Sequence, residues 1–242
     1  MSKKKRKNSN YKQNASSATA PAARVGATST KSGARPLPII ICSVIALIII
    51  AVIVLVSLNA CYGGECYYAK NRDVSDREVV YVEMSIKDYG KVTLLLDKTT
   101  APITVDNFVS LVNDGFYDGL TFHRIIENFM IQGGDPEGTG SGGSENEIKG
   151  EFSANGHVND IQHLEGVISM ARATPYDSAS SQFFICNADS PHLNGQYAAF
   201  GYVVKGLNVI HRVTEDFVDK TVGGVIRDKS QQPVIEYIRV ID

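Results

Sequence analysis

One permanently charged side chain, Arg124, lies within a run of strand-forming residues at positions 122–126. Burying a guanidinium is costly unless its N–H donors find partners, so a bound ligand would explain its position. If the strand alternates regularly, Phe122 and Arg124 share one face and His123 lies on the other. An arginine beside an aromatic ring suits a ligand with an apolar part and a carbonyl or amide. The alternative is an ordinary surface strand with one solvated arginine.

Further segments repeat this mixture of strand-forming, small and polar residues. Positions 129–135 end in paired glycines, and positions 166–173 and 181–186 place the lone amide of Gln182 beside two phenylalanines. Positions 192–201 are typical of a turn that enters a strand. Together the segments predict a groove built on short strands.

The order and spacing of these segments, from Val79 to the C-terminus, resemble the cyclophilins, a family of peptidyl-prolyl cis/trans isomerases. The resemblance implies a mainly β fold, a closed eight-stranded antiparallel β-barrel capped by two α-helices. It also implies the site. Arg124, Phe129 and Gln132 would be catalytic, and proline-containing polypeptides would be bound by Met130, Ala171, Arg172, Ala173, Gln182, Phe184, His192, Leu193 and Tyr197. The competing interpretation places Phe129, Met130 and Phe184 in an ordinary core.

Three positions depart from the family pattern. The family often has Trp in place of His192, His in place of Tyr197, and Asn in place of Arg172. Tyr197 still offers a flat apolar face and a hydroxyl donor, so we expect proline binding to survive. Because the family's tryptophan contributes to cyclosporin binding, His192 predicts that cyclosporin binds more weakly than in typical eukaryotic members.

The remaining motifs favour neither cofactor nor metal. The glycines at 138, 140 and 143 match a dinucleotide fingerprint, but no apolar helix pattern follows them, so we expect a flexible loop beside a groove. The histidines lack the spacing of zinc ligands, and no serine lies in a nucleophile elbow. The sequence therefore predicts no cofactor, no metal and no nucleic-acid partner. A site without nucleophile, metal or cofactor suits rotation about an Xaa-Pro amide, because that rotation breaks no covalent bond. Arg124 would stabilise the twisted amide.

The elements that would position these residues are short. Positions 79–86 and 92–96 predict a hairpin, and a final strand is expected at 234–240. Apolar spacing predicts one helix from Pro102 to Asp114 and another from Leu207 to Thr214. Many short strands with two helices favour an antiparallel barrel over a parallel sheet.

The N-terminal third has a different composition. Residues 1–36 contain nine Lys or Arg and no acidic residue, and we expect a disordered basic cytoplasmic tail. Leu37 to Leu58 carries no charge and is long enough to cross a bilayer, which predicts one transmembrane helix. A cleaved signal peptide is the alternative. Residues 59–77 would link this span to an isomerase domain at 78–242.

The basic cluster at Lys3 to Lys7 predicts a cytoplasmic N-terminus and an extracytoplasmic isomerase domain at a cell membrane, on a bacterial surface. A nuclear import signal is the competing interpretation. Cys61 and Cys66 could form a disulfide outside the membrane or remain free, and Cys61 could instead carry a lipid. Cys186 is expected in a core strand.

The functional prediction is therefore an isomerase that assists the folding of exported or surface proteins. The alternative is a catalytically weak proline-binding scaffold.

Overall fold

The computed structural model describes residues 73–241, which contain eight β-strands and two α-helices. In chain order these are β1 (Val79–Ile86), β2 (Gly90–Asp97), α1 (Pro102–Asn113), β3 (Thr121–Ile126), β4 (Met130–Asp135), β5 (Val167–Met170), β6 (Phe183–Cys186), β7 (Ala199–Lys205), α2 (Leu207–Phe217) and β8 (Ile235–Ile241). The predicted hairpin, both helices and the final strand are thus present, with ends that differ by a few residues.

All eight strands form one antiparallel sheet in the order β3-β4-β6-β5-β7-β2-β1-β8. The sheet curls so that its edge strands meet at an isolated bridge between Thr121 and Val234. Phe122 N–H also donates to the Pro233 carbonyl at 2.9 Å. The predicted mainly β architecture is confirmed, but β3 and β8 are joined by this bridge and its flanking bonds rather than by a continuous ladder.

The core lies inside the curled sheet and beneath the helices. Helix α1 packs against β2 and β8, and α2 packs against β2 and β3. Fully buried aromatic rings fill the interior, with Phe108 of α1 meeting Phe183 edge-to-face at a centroid distance of 5.6 Å. Free Cys186 is also buried, and burial raises the pKa of its thiol to about 12. The expectation of Cys186 in a core strand is confirmed.

Strands β3 and β4 approach too closely for a side chain at Gly133. A Cβ there would lie 2.7 Å from the Thr121 carbonyl oxygen and 2.9 Å from the Phe122 ring. The glycine therefore permits the close pairing that carries Arg124 and Gln132 on neighbouring strands.

Within residues 73–241 no helix is both long and apolar enough to cross a membrane. The predicted span at 37–58, the tail at 1–36, and Cys61 and Cys66 lie outside the described residues.

Candidate functional site

A β-bulge in β3 sets the direction of the Arg124 side chain. Phe122 and Arg124 pair with successive residues of β4 although His123 separates them, so His123 is the extra residue of the bulge. A bulge interrupts the regular alternation of side chains across the sheet. Phe122 is consequently buried in the core, whereas His123 and Arg124 both line a cavity. The prediction that Phe122 and Arg124 share a face was wrong; the ring beside the Arg124 guanidinium is Phe129, with its centroid 5.9 Å away.

This cavity, which we call cavity A, has a volume of about 280 Å³ and an apolar floor. The floor belongs to a hydrophobic cluster separate from the main core, in which Met130, Phe184 and Leu193 are almost fully buried. Nine of the predicted site residues line cavity A: Arg124, Phe129, Met130, Gln132, Ala171, Arg172, Phe184, Leu193 and Tyr197. The structure therefore brings residues from three strands and three connecting segments around one apolar space.

Arg124 begins a chain of side-chain hydrogen bonds, which we call the glutamine relay. Its Nη1 donates to Gln132 Oε1 at 3.2 Å, and Gln132 Nε2 donates to Gln182 Oε1 at 2.9 Å. Gln182 Nε2 in turn donates to the Gly142 carbonyl at 2.7 Å. Burial lowers the pKa of Arg124, but an arginine guanidinium keeps its proton in proteins and so stays charged. The relay thus fixes the guanidinium at the cavity wall while leaving other N–H groups free to bind a ligand.

The loop that receives the relay is held by Asp135, which is fully buried. Its carboxylate accepts hydrogen bonds from the backbone N–H groups of Glu137 at 2.8 Å, Thr139 at 3.0 Å and Gly140 at 2.6 Å. Burial alone would raise the pKa of Asp135, but these bonds outweigh it and hold the pKa below its usual value. The glycine-rich segment leads into irregular chain rather than a helix, and it forms one wall of the site.

A second and larger cavity, cavity B, lies on the other side of the glutamine relay and has a volume of about 570 Å³. It shares Gln132, Gly140, Ala171 and Arg172 with cavity A. Two further predicted residues, Ala173 and Gln182, line cavity B alone. An extended peptide could therefore cross from one cavity to the other along the edge at Ala171.

Two of the residues that depart from the family pattern have different positions. Tyr197 lines cavity A and packs edge-on against Phe184, with ring centroids 5.8 Å apart. His192 is exposed and lines neither cavity, but its ring lies 5.2 Å from that of Phe129. His192 therefore contacts the cavity wall from outside.

Sequence reasoning did not assign four residues that line cavity A, namely His123, Thr139, Gly140 and Val225. The glycine pattern indicated a loop beside a groove, which covers Thr139 and Gly140 in general terms. His123 enters through the bulge, which no periodic pattern indicates. Val225 reaches the site through an isolated bridge with Arg124, and no local sequence signal points to it.

Residues 73–241 contain no group of three His, Cys, Asp or Glu side chains that could hold a metal ion. The prediction of no metal and no cofactor stays a prediction.

Comparison with known proteins identifies the class to which this fold and site belong. The family model described as "Cyclophilin type peptidyl-prolyl cis-trans isomerase/CLD" matches residues 81–240. The chain therefore belongs to the cyclophilin family, and the predicted enzyme class, a peptidyl-prolyl isomerase, is confirmed.

Individual relatives agree with this assignment. The chain is 45% identical to peptidyl-prolyl cis-trans isomerase B of Bacillus subtilis over 137 residues, which are 57% of this chain and 92% of that protein. It is 42% identical to isomerase ppi1 of Schizosaccharomyces pombe over 153 residues, which are 63% of this chain and 90% of that protein. A crystal structure of a Cryptosporidium parvum cyclophilin-type isomerase in the presence of the dipeptide Ala-Pro is similar, with a TM-score of 0.58 and 28% identity over 67% of this chain and 99% of that one.

Proposed function

We propose that cavity A binds the proline ring of a polypeptide and that Arg124 accelerates rotation about the preceding Xaa-Pro bond. The observation that carries the proposal is a half-buried guanidinium at an apolar cavity that forms no ion pair within residues 73–241. A carboxylate partner would compete for its N–H groups, whereas the neutral Gln132 occupies only part of them.

The chemistry follows from amide resonance. The barrier to rotation is about 18–20 kcal/mol because the planar amide has partial double-bond character. Twisting the bond removes that resonance and leaves a lone pair on the prolyl nitrogen, which a fixed N–H donor can stabilise. Arg124 is that donor, and the bond it forms exists only in the twisted state, so it lowers the barrier without tightening the ground state.

The other groups hold the substrate in place. Met130, Phe184 and Leu193 surround the ring, and Gln132 binds the substrate backbone next to the rotating bond. The peptide before the proline extends past Ala171 to Ala173 towards cavity B. An acceleration of a million requires about 8 kcal/mol, of which a charge-assisted hydrogen bond in a partly dry site supplies a substantial part.

A protease-coupled isomerisation assay on an Ala-Pro peptide tests this mechanism. We expect the purified full-length chain to accelerate the reaction, and Arg124→Ala to lower kcat/KM about 100- to 1000-fold, as for loss of one preorganised donor. Arg124→Lys keeps the charge but not the fork of donors, so it should recover little. The matched control is Arg227→Ala, a change at an exposed position, and this variant should leave kcat/KM unchanged.

The outcomes separate the two hypotheses. A wild-type chain that binds proline peptides without accelerating the reaction would support a proline-binding scaffold. If the Arg124→Ala variant accelerates the reaction as much as the wild type does, the isomerase activity stands but Arg124 has no part in the mechanism.

We further propose that the domain acts outside the cytoplasm on exported or surface proteins, held by a membrane span at Leu37 to Leu58. This proposal is supported by the long uncharged segment and the basic cluster before it.

Cysteine labelling of intact cells tests this topology. Val158 is 88% exposed, so Val158→Cys offers a reactive thiol on the domain surface. The background should carry Cys61→Ala and Cys66→Ala. Cys186 should stay unlabelled because it is buried and its thiol pKa is raised to about 12. We expect an impermeant maleimide to label intact cells; labelling only after lysis would contradict an external domain.

A further inference from the structure

Arg172 uses nearly all its donors to join two loops. Its Nε and Nη2 donate to the Gln196 carbonyl at 3.1 and 2.9 Å. Its Nη1 donates to the carbonyls of Ala173 at 2.9 Å and Thr174 at 3.2 Å. A guanidinium has five N–H groups, and these contacts occupy four of them. One side of the planar fork therefore holds the turn at Gln196 and the other holds the chain after β5.

Aromatic rings fix the same guanidinium. The Arg172 guanidinium carbon lies 4.8 Å from the ring centroid of Tyr197, 4.9 Å from that of Tyr176 and 5.2 Å from that of Phe152. Such cation–π contacts favour a flat guanidinium over the compact ammonium of lysine. The three rings come from three different loops, and Arg172 is the group that contacts all of them.

These two sets of contacts meet at the border between the cavities, because Arg172 lines both cavity A and cavity B. Tyr197 forms a wall of cavity A against Phe184, whereas Ala173 forms an edge of cavity B. The relative position of the Tyr197 wall and the Ala173 edge therefore depends on how firmly these two loops are held together.

We propose that Arg172 is a positioning residue that locks the Tyr197 wall of cavity A to the Ala173–Thr174 edge of cavity B, and so sets the substrate affinity of the isomerase. It acts through Tyr197 rather than by binding the peptide with its own charge. This assignment differs from the direct substrate contact that the sequence resemblance implies for position 172, and it rests on the isomerase activity proposed above.

The kinetic signature follows from the geometry. The donors of Arg172 are occupied by loop carbonyls, so a loosened wall should weaken binding of the planar and twisted substrate to the same degree. Loss of such uniform binding raises KM and leaves kcat nearly unchanged. A merely structural role would instead lower the amount of folded enzyme, which reduces apparent kcat and the unfolding temperature but not the affinity of the molecules that remain folded.

The experiment compares Arg172→Lys and Arg172→Ala with the wild-type full-length chain on an Ala-Pro peptide. We expect KM to rise about tenfold in both variants with kcat within about twofold, because lysine keeps the charge but cannot bridge both walls. Arg227→Lys is the matched control and should leave both constants unchanged. Equal KM values in the wild type and both variants would overturn the proposal, as would full recovery of KM by lysine.

A double-mutant cycle tests the route through Tyr197. If Arg172 acts by holding that ring, Arg172→Ala should raise KM little further in a Tyr197→Leu background, since the wall is already lost. Independent, multiplicative effects of the two changes would contradict the proposed route. Wild-type activity separates this outcome from failure of the isomerase assignment, because a wild type without activity contradicts the earlier proposal alone.

Discussion

At the scale of single side chains, the partner of the Arg124 guanidinium is the neutral amide of Gln132. The Gln132 amide oxygen accepts one hydrogen bond from Arg124, and the Gln132 amide nitrogen donates one to Gln182. A carboxylate in the same place would form an ion pair and take up the N–H groups that face cavity A.

Gln132→Glu tests this role of the amide. We expect kcat/KM to fall about tenfold or more, since a bidentate carboxylate both satisfies the guanidinium and repels a developing lone pair. Exposed Gln162→Glu adds the same charge away from the site and serves as control. Unchanged kcat/KM in a folded Gln132→Glu variant, measured in the same coupled assay, would show that Arg124 needs no neutral partner.

The identities of the site residues could be predicted because they lie in long ordered motifs. Arg124, Phe129 and Gln132 line one cavity, and the catalytic roles that the family resemblance implies for them stay predictions. The neighbour of Arg124 could not be predicted, because period-two alternation assumes a regular strand and the extra residue His123 shifts every side chain that follows it.

Among the elements, the loop after β4 depends on one buried carboxylate. Asp135 satisfies three backbone N–H groups that would otherwise lack a partner, and one of them belongs to Gly140, which lines both cavities. The order of this loop and the shape of the site are therefore linked.

Asp135→Asn should lower the free energy of unfolding by about 2–3 kcal/mol, because a buried charge-assisted network becomes partly unsatisfied. Urea unfolding followed by circular dichroism measures the change. Exposed Asp114→Asn removes the same charge at the end of α1 and should cost much less. Equal losses in the two variants would show that the loop bonds contribute nothing specific.

The limits of elements were predictable where apolar periodicity is strong. β1 was expected at 79–86 and occurs as Val79–Ile86. Helix α2 was expected to stop at Thr214 but continues to Phe217, because the Phe217 ring packs on the core beside Tyr89 and so stabilises one more turn. The pairing between the edge strands β3 and β8 depends on contacts between residues far apart in the sequence. No local pattern therefore predicts how many residues pair there.

At the scale of the whole molecule, a buried histidine beneath the site makes the free energy of unfolding depend on pH. His163 is fully buried, hydrogen bonded to Ser169 and Asn194 and stacked on Phe184. Burial lowers its pKa from 6.5 to about 4, although the bond to Asn194 opposes the shift. Unfolded chains therefore bind this proton more readily than the folded chain between these two pH values.

The contribution of His163 to the free energy of unfolding should therefore be complete above pH 6.5. It should fall by about 3 kcal/mol as the pH drops towards 4. Urea unfolding at pH 7 and 4.5 measures the loss of unfolding free energy, and His163→Gln should reduce that loss. Identical pH dependence in the wild type and His163→Gln would exclude His163 as the cause.

The glutamine relay has one direction along its whole length, since each nitrogen donates away from Arg124 and each amide oxygen points back towards it. The amide dipoles are therefore aligned, with their negative ends facing the cation. Aligned groups polarise one another, and fixed groups need no reorientation when charge shifts during the reaction. This row stabilises the cation much as a solvent shell would, but it carries no net charge to neutralise it and loses no free energy by reorganising at each turnover.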